Sequence, residues 1–138
     1  MNDVIADTHA AVWSIFAPAK LSVPALAAMT RAARAGTIFV SAISVVEIIY
    51  LTGKKSFPYT GALARLVALH ADPNEPFKIL PVTLADALAV ERVPRNEVPD
   101  MPDRIIAATA VARGLPVVSA DSDIRGSAGL KSLVPVIW

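Results

Sequence analysis

The chain has 138 residues, no cysteine, and 54% hydrophobic against only 18% charged residues. That length suits one domain over residues 1–138 with its own core, and the composition excludes a disordered chain. A formal net charge of +1 neither marks nor excludes a nucleic-acid binder, while the missing thiols exclude disulfides and thiolate zinc.

Val4-Ile5-Ala6 reads as a short buried strand ending at Asp7, with a helical stretch following through Phe16. Pro24 suits the first turn of an alanine-rich helix that runs to Arg34 and stops at Gly36. Ile38-Phe39-Val40 is the second strand. From Ala42 to Leu51 the β-branched residues favour a strand by propensity. Length, and Gly53 as a stop, favour a fully buried helix instead. A helix is expected from Tyr59 to His70, a strand at Ile79-Leu80, and a helix from Leu84 to Arg92. Pro102 opens a helix to Arg113 that Gly114 closes, Val117-Val118 is a strand, and Val134 to Ile137 is the last one. Strands alternating with helices imply a parallel sheet covered on both faces. In such sheets the functional crevice lies beyond the carboxyl ends of the strands, where Asp7 and Asp121 fall.

The N-terminus places Asp3 and Asp7 where a signal peptide needs basic residues, so none is expected. The apolar run from Ile38 to Leu51 is too short to cross a bilayer. A cytoplasmic protein with no membrane association is the expectation. The apolar surplus points to a partner or a homo-oligomer.

Four acids stand where an acid is locally awkward: Asp7, Glu47, Asp103 and Asp121. Each also has a structural explanation. Asp7 suits a helix N-cap, which uses one carboxylate oxygen and leaves the other free. Glu47 shares a helical face with Ile43, Tyr50 and Leu51, and Lys54 lies two turns on, roughly 10 Å along the axis. Its alternative role is to reach an edge of the protein or a distant Arg. Asp103 lies in a first helical turn, facing inward with Ile106, Ala107 and Ala110. Asp100, three residues earlier, reads as a cap or an auxiliary acid. Asp121 ends a strand, and Asp123 is the acid expected to serve the turn.

Taken together, these residues put several carboxylates at one end of one sheet. Two unit charges about 4 Å apart repel by roughly 4 kcal/mol at an effective dielectric of about 20. A divalent ion relieves that repulsion while keeping the acids charged, and oxygen ligands alone favour Mg²⁺ or Mn²⁺. Thr8 and Ser119 flank the acids and suit supporting hydrogen bonds. Lys54, Lys55, Arg104 and Arg125 are the expected phosphate contacts, and His9 reads as a helix-surface residue.

Four segments carry a resemblance to a known family: Val4-Ile-Ala-Asp7-Thr-His, Val40-Ser-Ala-Ile-Ser-Val-Val-Glu47-Ile, Asp100-Met-Pro-Asp103-Arg-Ile-Ile-Ala-Ala-Thr-Ala, and Gly114-Leu-Pro-Val-Val-Ser-Ala-Asp121. In this order and spacing the chain resembles the PIN domain, and more narrowly VapC-type toxins of toxin–antitoxin pairs. The resemblance extends to the closing Val136-Ile137-Trp138. It implies a three-layer α/β/α sandwich around a central parallel five-stranded sheet, and Mg²⁺- or Mn²⁺-dependent ribonuclease activity. It also implies a cognate antitoxin protein as partner, RNA as substrate and a homodimer. The acidic quartet carries over to Asp7, Glu47, Asp103 and Asp121, with Asp7, Asp103 and Asp121 as the metal ligands and Asp100 as an auxiliary acid.

The competing readings keep the acids but change their use. A non-toxic RNA-processing nuclease would have the same site. A Mg²⁺-binding receiver-like signalling domain needs an acid pair near its first strand and a lysine late in the sheet, but Asp7 stands alone and the last strand carries no lysine. An Asp-x-Asp phosphatase fails because His9 stands where the second acid belongs.

Overall fold

The computed structural model describes residues 2–138. Five parallel strands form one sheet: β1 (Val4–Ala6), β2 (Ile38–Ser41), β3 (Phe77–Leu80), β4 (Val117–Val118) and β5 (Val136–Ile137), in the order β3-β2-β1-β4-β5. The chain moves outward from β1 to β3 and returns on the other side of β1 with β4. The topological switch point therefore lies between β1 and β4, where open α/β sheets place their ligands.

Side-chain alternation along the strands builds two cores. Val4 and Ala6 of β1, Ile38 and Val40 of β2, and Val118 of β4 face one side. There they meet α1 (Thr8–Phe16), α2 (Val23–Ala35) and α4 (Ala62–Ala71), through Ala10, Ala28, Met29 and Leu66 among others. Ile5 and Val117 face the other side and pack on α5 (Leu84–Ala89) and α6 (Met101–Arg113), with Ala89, Ile106 and Ala110 fully or nearly buried. Two single-turn helices, α7 (Ser122–Gly126) and α8 (Ala128–Lys131), add Ile124 and Leu130 to this second core. The expected α/β/α sandwich is the observed one. Strand residues two apart share a face, which is why one three-residue strand serves both layers.

The segment α3 (Ala42–Thr52) is a helix, as its length indicated, but it is not fully buried. Ile48 enters the first core and Ile43 packs against the second, so α3 lies across both layers, while Val46, Ile49 and Tyr50 are exposed. α4 starts at Ala62, three residues later than expected. Gly61 sits at a φ of 76° before it, and Tyr59 instead packs against Phe57 and Phe16. α5 is shorter than expected. A capping box between Thr83 and Asp86 starts it, and a 3-10 turn over Val90–Arg92 ends it. The helices α7 and α8 were not foreseen, since one turn is too short to show a helical period.

Candidate active site

Each candidate acid is placed by the local structure that its own sequence dictates. Asp7 follows β1 and caps α1, its Oδ1 accepting from the Ala10 N–H at 2.8 Å. Asp121 follows β4 and caps α7, its Oδ2 accepting from the N–H groups of Asp123 and Ile124 at 3.0 Å each. The turn is thus served by Asp121 itself, and Asp123 is exposed. Asp100 caps α6, with Asp103 in that helix's first turn. Glu47 comes from the middle of α3. Asp7, Glu47, Asp100, Asp103 and Asp121 line one cleft of about 350 Å³, together with Thr8, His9 and Trp13.

The hydrogen bonds inside the cleft connect distant parts of the chain. Ser119 Oγ donates to Asp7 Oδ2 at 2.5 Å and accepts from the Asp121 N–H at 3.0 Å. Both Asp7 oxygens thus accept a protein hydrogen bond, where capping alone would leave one unused, and each keeps a lone pair for a cation. Thr8 Oγ1 donates to Glu47 Oε1 at 2.5 Å and lies 2.9 Å from Ser44 Oγ. Thr8 has one hydroxyl proton, so Ser44 is the donor in the second contact.

Charge repulsion in the cleft is visible in its acidities. Burial raises the Asp7 pKa, Ser119, the Ala10 N–H and His9 oppose that rise, and Asp121 adds to it. The Asp103 carboxyl is pushed up to about 7, first by burial and then by Asp121, Asp100, Glu47 and Asp7. Asp86 provides the contrast. It is 1% exposed, yet it has its own donors in the Thr83 N–H at 3.0 Å and Arg113 at 3.3 Å. Asp103 has acids where Asp86 has an arginine.

Among the described residues, no three His, Cys, Asp or Glu groups are closed up as a ready-made metal cage. Asp7, Glu47 and Asp121 are turned onto protein donors, which accounts for the open arrangement. The donor chemistry still fits a hard divalent cation: several carboxylates, no thiolate, and mutual repulsion that a cation relieves while the acids stay charged.

The family model for the PIN domain matches residues 4–130. The chain belongs to the PIN-domain family. No curated protein matches it. Among solved structures, it is similar to VapBC2 from Rickettsia felis bound to a promoter DNA fragment, with a TM-score of 0.66, 15% identity and 99% of each chain covered. It is also similar to FitAcB from Neisseria gonorrhoeae, with a TM-score of 0.58 and 21% identity over 96% of this chain and 95% of that one. A third similar structure is FitAB bound to an IR36 DNA fragment, with a TM-score of 0.61 and 21% identity over 96% and 92% of the two chains. At such identities these likenesses establish the fold.

In this PIN domain the expected phosphate contacts part company. Arg104 Nη2 donates to the carbonyls of Val90 and Val93 at 3.0 and 2.9 Å, and its Nε is buried without a partner. Arg104 is a buckle between α6 and the 3-10 turn, which corrects its assignment as a phosphate contact. Lys54 and Lys55 are exposed in the turn after α3, and neither lines the acidic cleft. Arg125 is exposed and lines a neighbouring cleft. Two lining residues went unassigned from sequence: Trp13, and His9, which read as a helix-surface residue. His9 follows Asp7-Thr8 directly, and that adjacency was the available signal.

Proposed function

We propose that this PIN domain is a divalent-metal-dependent endoribonuclease that acts as the toxin of a toxin–antitoxin pair. PIN domains are generally nucleases, which supports the hydrolase reading. The observation that carries the metal is the gathering of Asp7, Glu47, Asp100, Asp103 and Asp121 in one cleft, where burial and the other four acids push Asp103 up to about 7. Asp7, Asp103 and Asp121 would hold Mg²⁺ or Mn²⁺. When bound, the ion supplies an acidified water and stabilises charge on a phosphoryl oxygen. Glu47, steadied by Thr8, completes the acidic wall and would orient the attacking water. Ser119 fixes Asp7 and the Asp121 backbone with one hydroxyl. Thr8 and Ser119 thus position the acids.

The toxin reading draws on the similarity to the VapBC and FitAB complexes. Two apolar surfaces agree with protein partners. Val46, Ile49 and Tyr50 on α3, Leu84 and Leu88 on α5, and Met101 on α6 are all exposed, a surface suited to a homodimer. A groove of about 150 Å³ lined by Leu21, Leu26 and Met29 suits an apolar segment of an antitoxin. Among the described residues no helix is long and apolar enough to cross a membrane. We place the protein in the cytoplasm, with its RNA.

Growth and cleavage assays test this directly. The parent is expected to cleave RNA with Mg²⁺ or Mn²⁺, to stop with a chelator, and to arrest growth of a bacterial host. Glu47→Gln, which keeps shape and removes charge, is expected to abolish both effects. An active parent that is harmless when expressed alone would instead identify an RNA-processing nuclease.

A further inference from the structure

Beside the acidic cleft lies a second one of about 410 Å³, lined by Ser122, Arg125, Lys131 and Trp138 among others. The two clefts touch in two ways. Asp121 lines the first and Ser122 the second, so both share the turn from β4 into α7. Trp13 lines the first and Trp138 the second, and their rings lie 5.9 Å apart. His9 extends the row, 5.5 Å from Trp13. An aromatic wall therefore runs from the acids to the basic cleft along the carboxyl edge of the sheet, from β1 across β4 to β5.

The charges complement this wall. Arg113–Asp86 is the only ion pair among the described residues, so neither Arg125 nor Lys131 is neutralised by an acid. Both are exposed. Trp138 is half-buried, packed against the first core and bordering the cleft. Two unpaired cations and a hydroxyl beside an indole face match one nucleotide: a phosphate for the cations, a base for the ring. Grooves that combine tracking cations with aromatic platforms bind single strands with little sequence preference.

We propose that this basic cleft is a subsite for single-stranded nucleic acid, holding the phosphate and base of a nucleotide that flanks the scissile bond. Arg125 and Lys131 hold the phosphate, Ser122 donates to it, and Trp138 stacks on the base. The wall of Trp13 and His9 guides the strand from there to the acids. The inference rests on the nuclease reading for its placement beside a scissile bond, and its test is independent of turnover.

The test uses a short fluorescent single-stranded RNA, about ten nucleotides, of the size such grooves cover. Anisotropy gives its affinity for Asp103→Asn protein, with and without Arg125→Ala and Lys131→Ala together. The pair is expected to weaken binding at least tenfold at low salt and to make the log–log salt dependence shallower by about 0.7, the share of one phosphate on a single strand. Exchanging the cations, Arg125→Lys with Lys131→Arg, is expected to restore most of both. In a Trp13→Phe protein Trp138 is the only tryptophan, and the RNA is expected to quench its fluorescence.

Unchanged affinity and salt slope, or an unquenched Trp138, would overturn the assignment. So would displacement of the RNA by an equal concentration of polyglutamate peptide, which would give the cleft to an acidic protein segment. A parent that binds as described but cleaves nothing fails the nuclease reading and leaves the subsite standing. A cleaving parent insensitive to these substitutions fails the subsite alone.

Discussion

Ser119 Oγ lies 2.5 Å from Asp7 Oδ2, across 112 residues of chain, and joins the carboxyl ends of β1 and β4. Its oxygen also accepts the Asp121 N–H, so one buried hydroxyl orients two of the acids at the switch point. Ser119→Ala is expected to keep the fold and reduce cleavage by about 10- to 100-fold, the usual loss when a support of a metal ligand is removed. Ser119→Thr is expected to recover part of it. Full activity in the alanine variant, with the melting temperature unchanged, would show that Asp7 needs no such support.

The acids predict a metal effect that one substitution weakens. Binding of Mn²⁺ to the folded protein raises its melting temperature by mass action. Asp103→Asn is expected to shrink that increase while making the metal-free protein more stable, because one repelling charge is gone. Melting curves with Mn²⁺ and with a chelator read both. Equal metal stabilisation in parent and variant would remove Asp103 from the site.

The raised acidities set a pH dependence. The Asp103 pKa rises from an ordinary 3.8 to about 7 on folding, so the folded state holds this proton more tightly than the unfolded one. Stability from that proton is complete below about 3.8 and is lost as pH climbs through about 7. Asp7 is shifted in the same direction. In a chelator, Asp103→Asn is therefore expected to gain on the parent steadily across this window in urea titrations. A difference independent of pH would contradict the shift.

Binding of the ion must displace the same proton. Mn²⁺ affinity is expected to rise with pH up to about 7 and to level off above it, with proton uptake by the buffer near neutrality. Calorimetry in two buffers of different ionisation heat measures the protons released.

Arg104 offers a check on structure rather than catalysis. Removing its guanidinium leaves the Val93 carbonyl without its donor, while the Val90 carbonyl keeps only the Val93 N–H. Arg104→Ala is expected to cost about 1–3 kcal/mol of stability, the usual penalty for such groups. Cleavage per folded molecule and RNA affinity are expected to stay near the parent's. A specific loss of RNA binding with stability intact would return Arg104 to the phosphate contacts.

Much of this molecule was legible in its sequence, for local reasons. The strands of β1, β2 and β4 are short apolar runs bounded by acids, glycine or serine. The ends of α2 and α6 carry a proline near the start and a glycine after the last turn. The acids Asp7, Asp100 and Asp121 occupy N-caps, a position that a sequence shows directly. Residues 42–52 were harder, because propensity and length disagreed. The helix that formed is half-exposed, since it lies across the end of two layers and only Ser44 and Ile48 are buried.

The sequence determined the alternation of strands and helices, the caps, and hence the carboxyl edge on which the acids stand. Those features depend on neighbours within a few residues: side-chain period, φ preferences and hydrogen bonds to the nearest N–H. Tertiary structure alone decided which groups face each other. It turned Thr8 onto Glu47, buckled Arg104 onto the Val90 and Val93 carbonyls, and set Trp13 beside Trp138 from opposite ends of the chain. Such contacts depend on strand order and helix packing, and residues more than a hundred positions apart leave no mark of their contact in one sequence. A side chain's chemistry is local, whereas its partner is fixed only when the sheet closes.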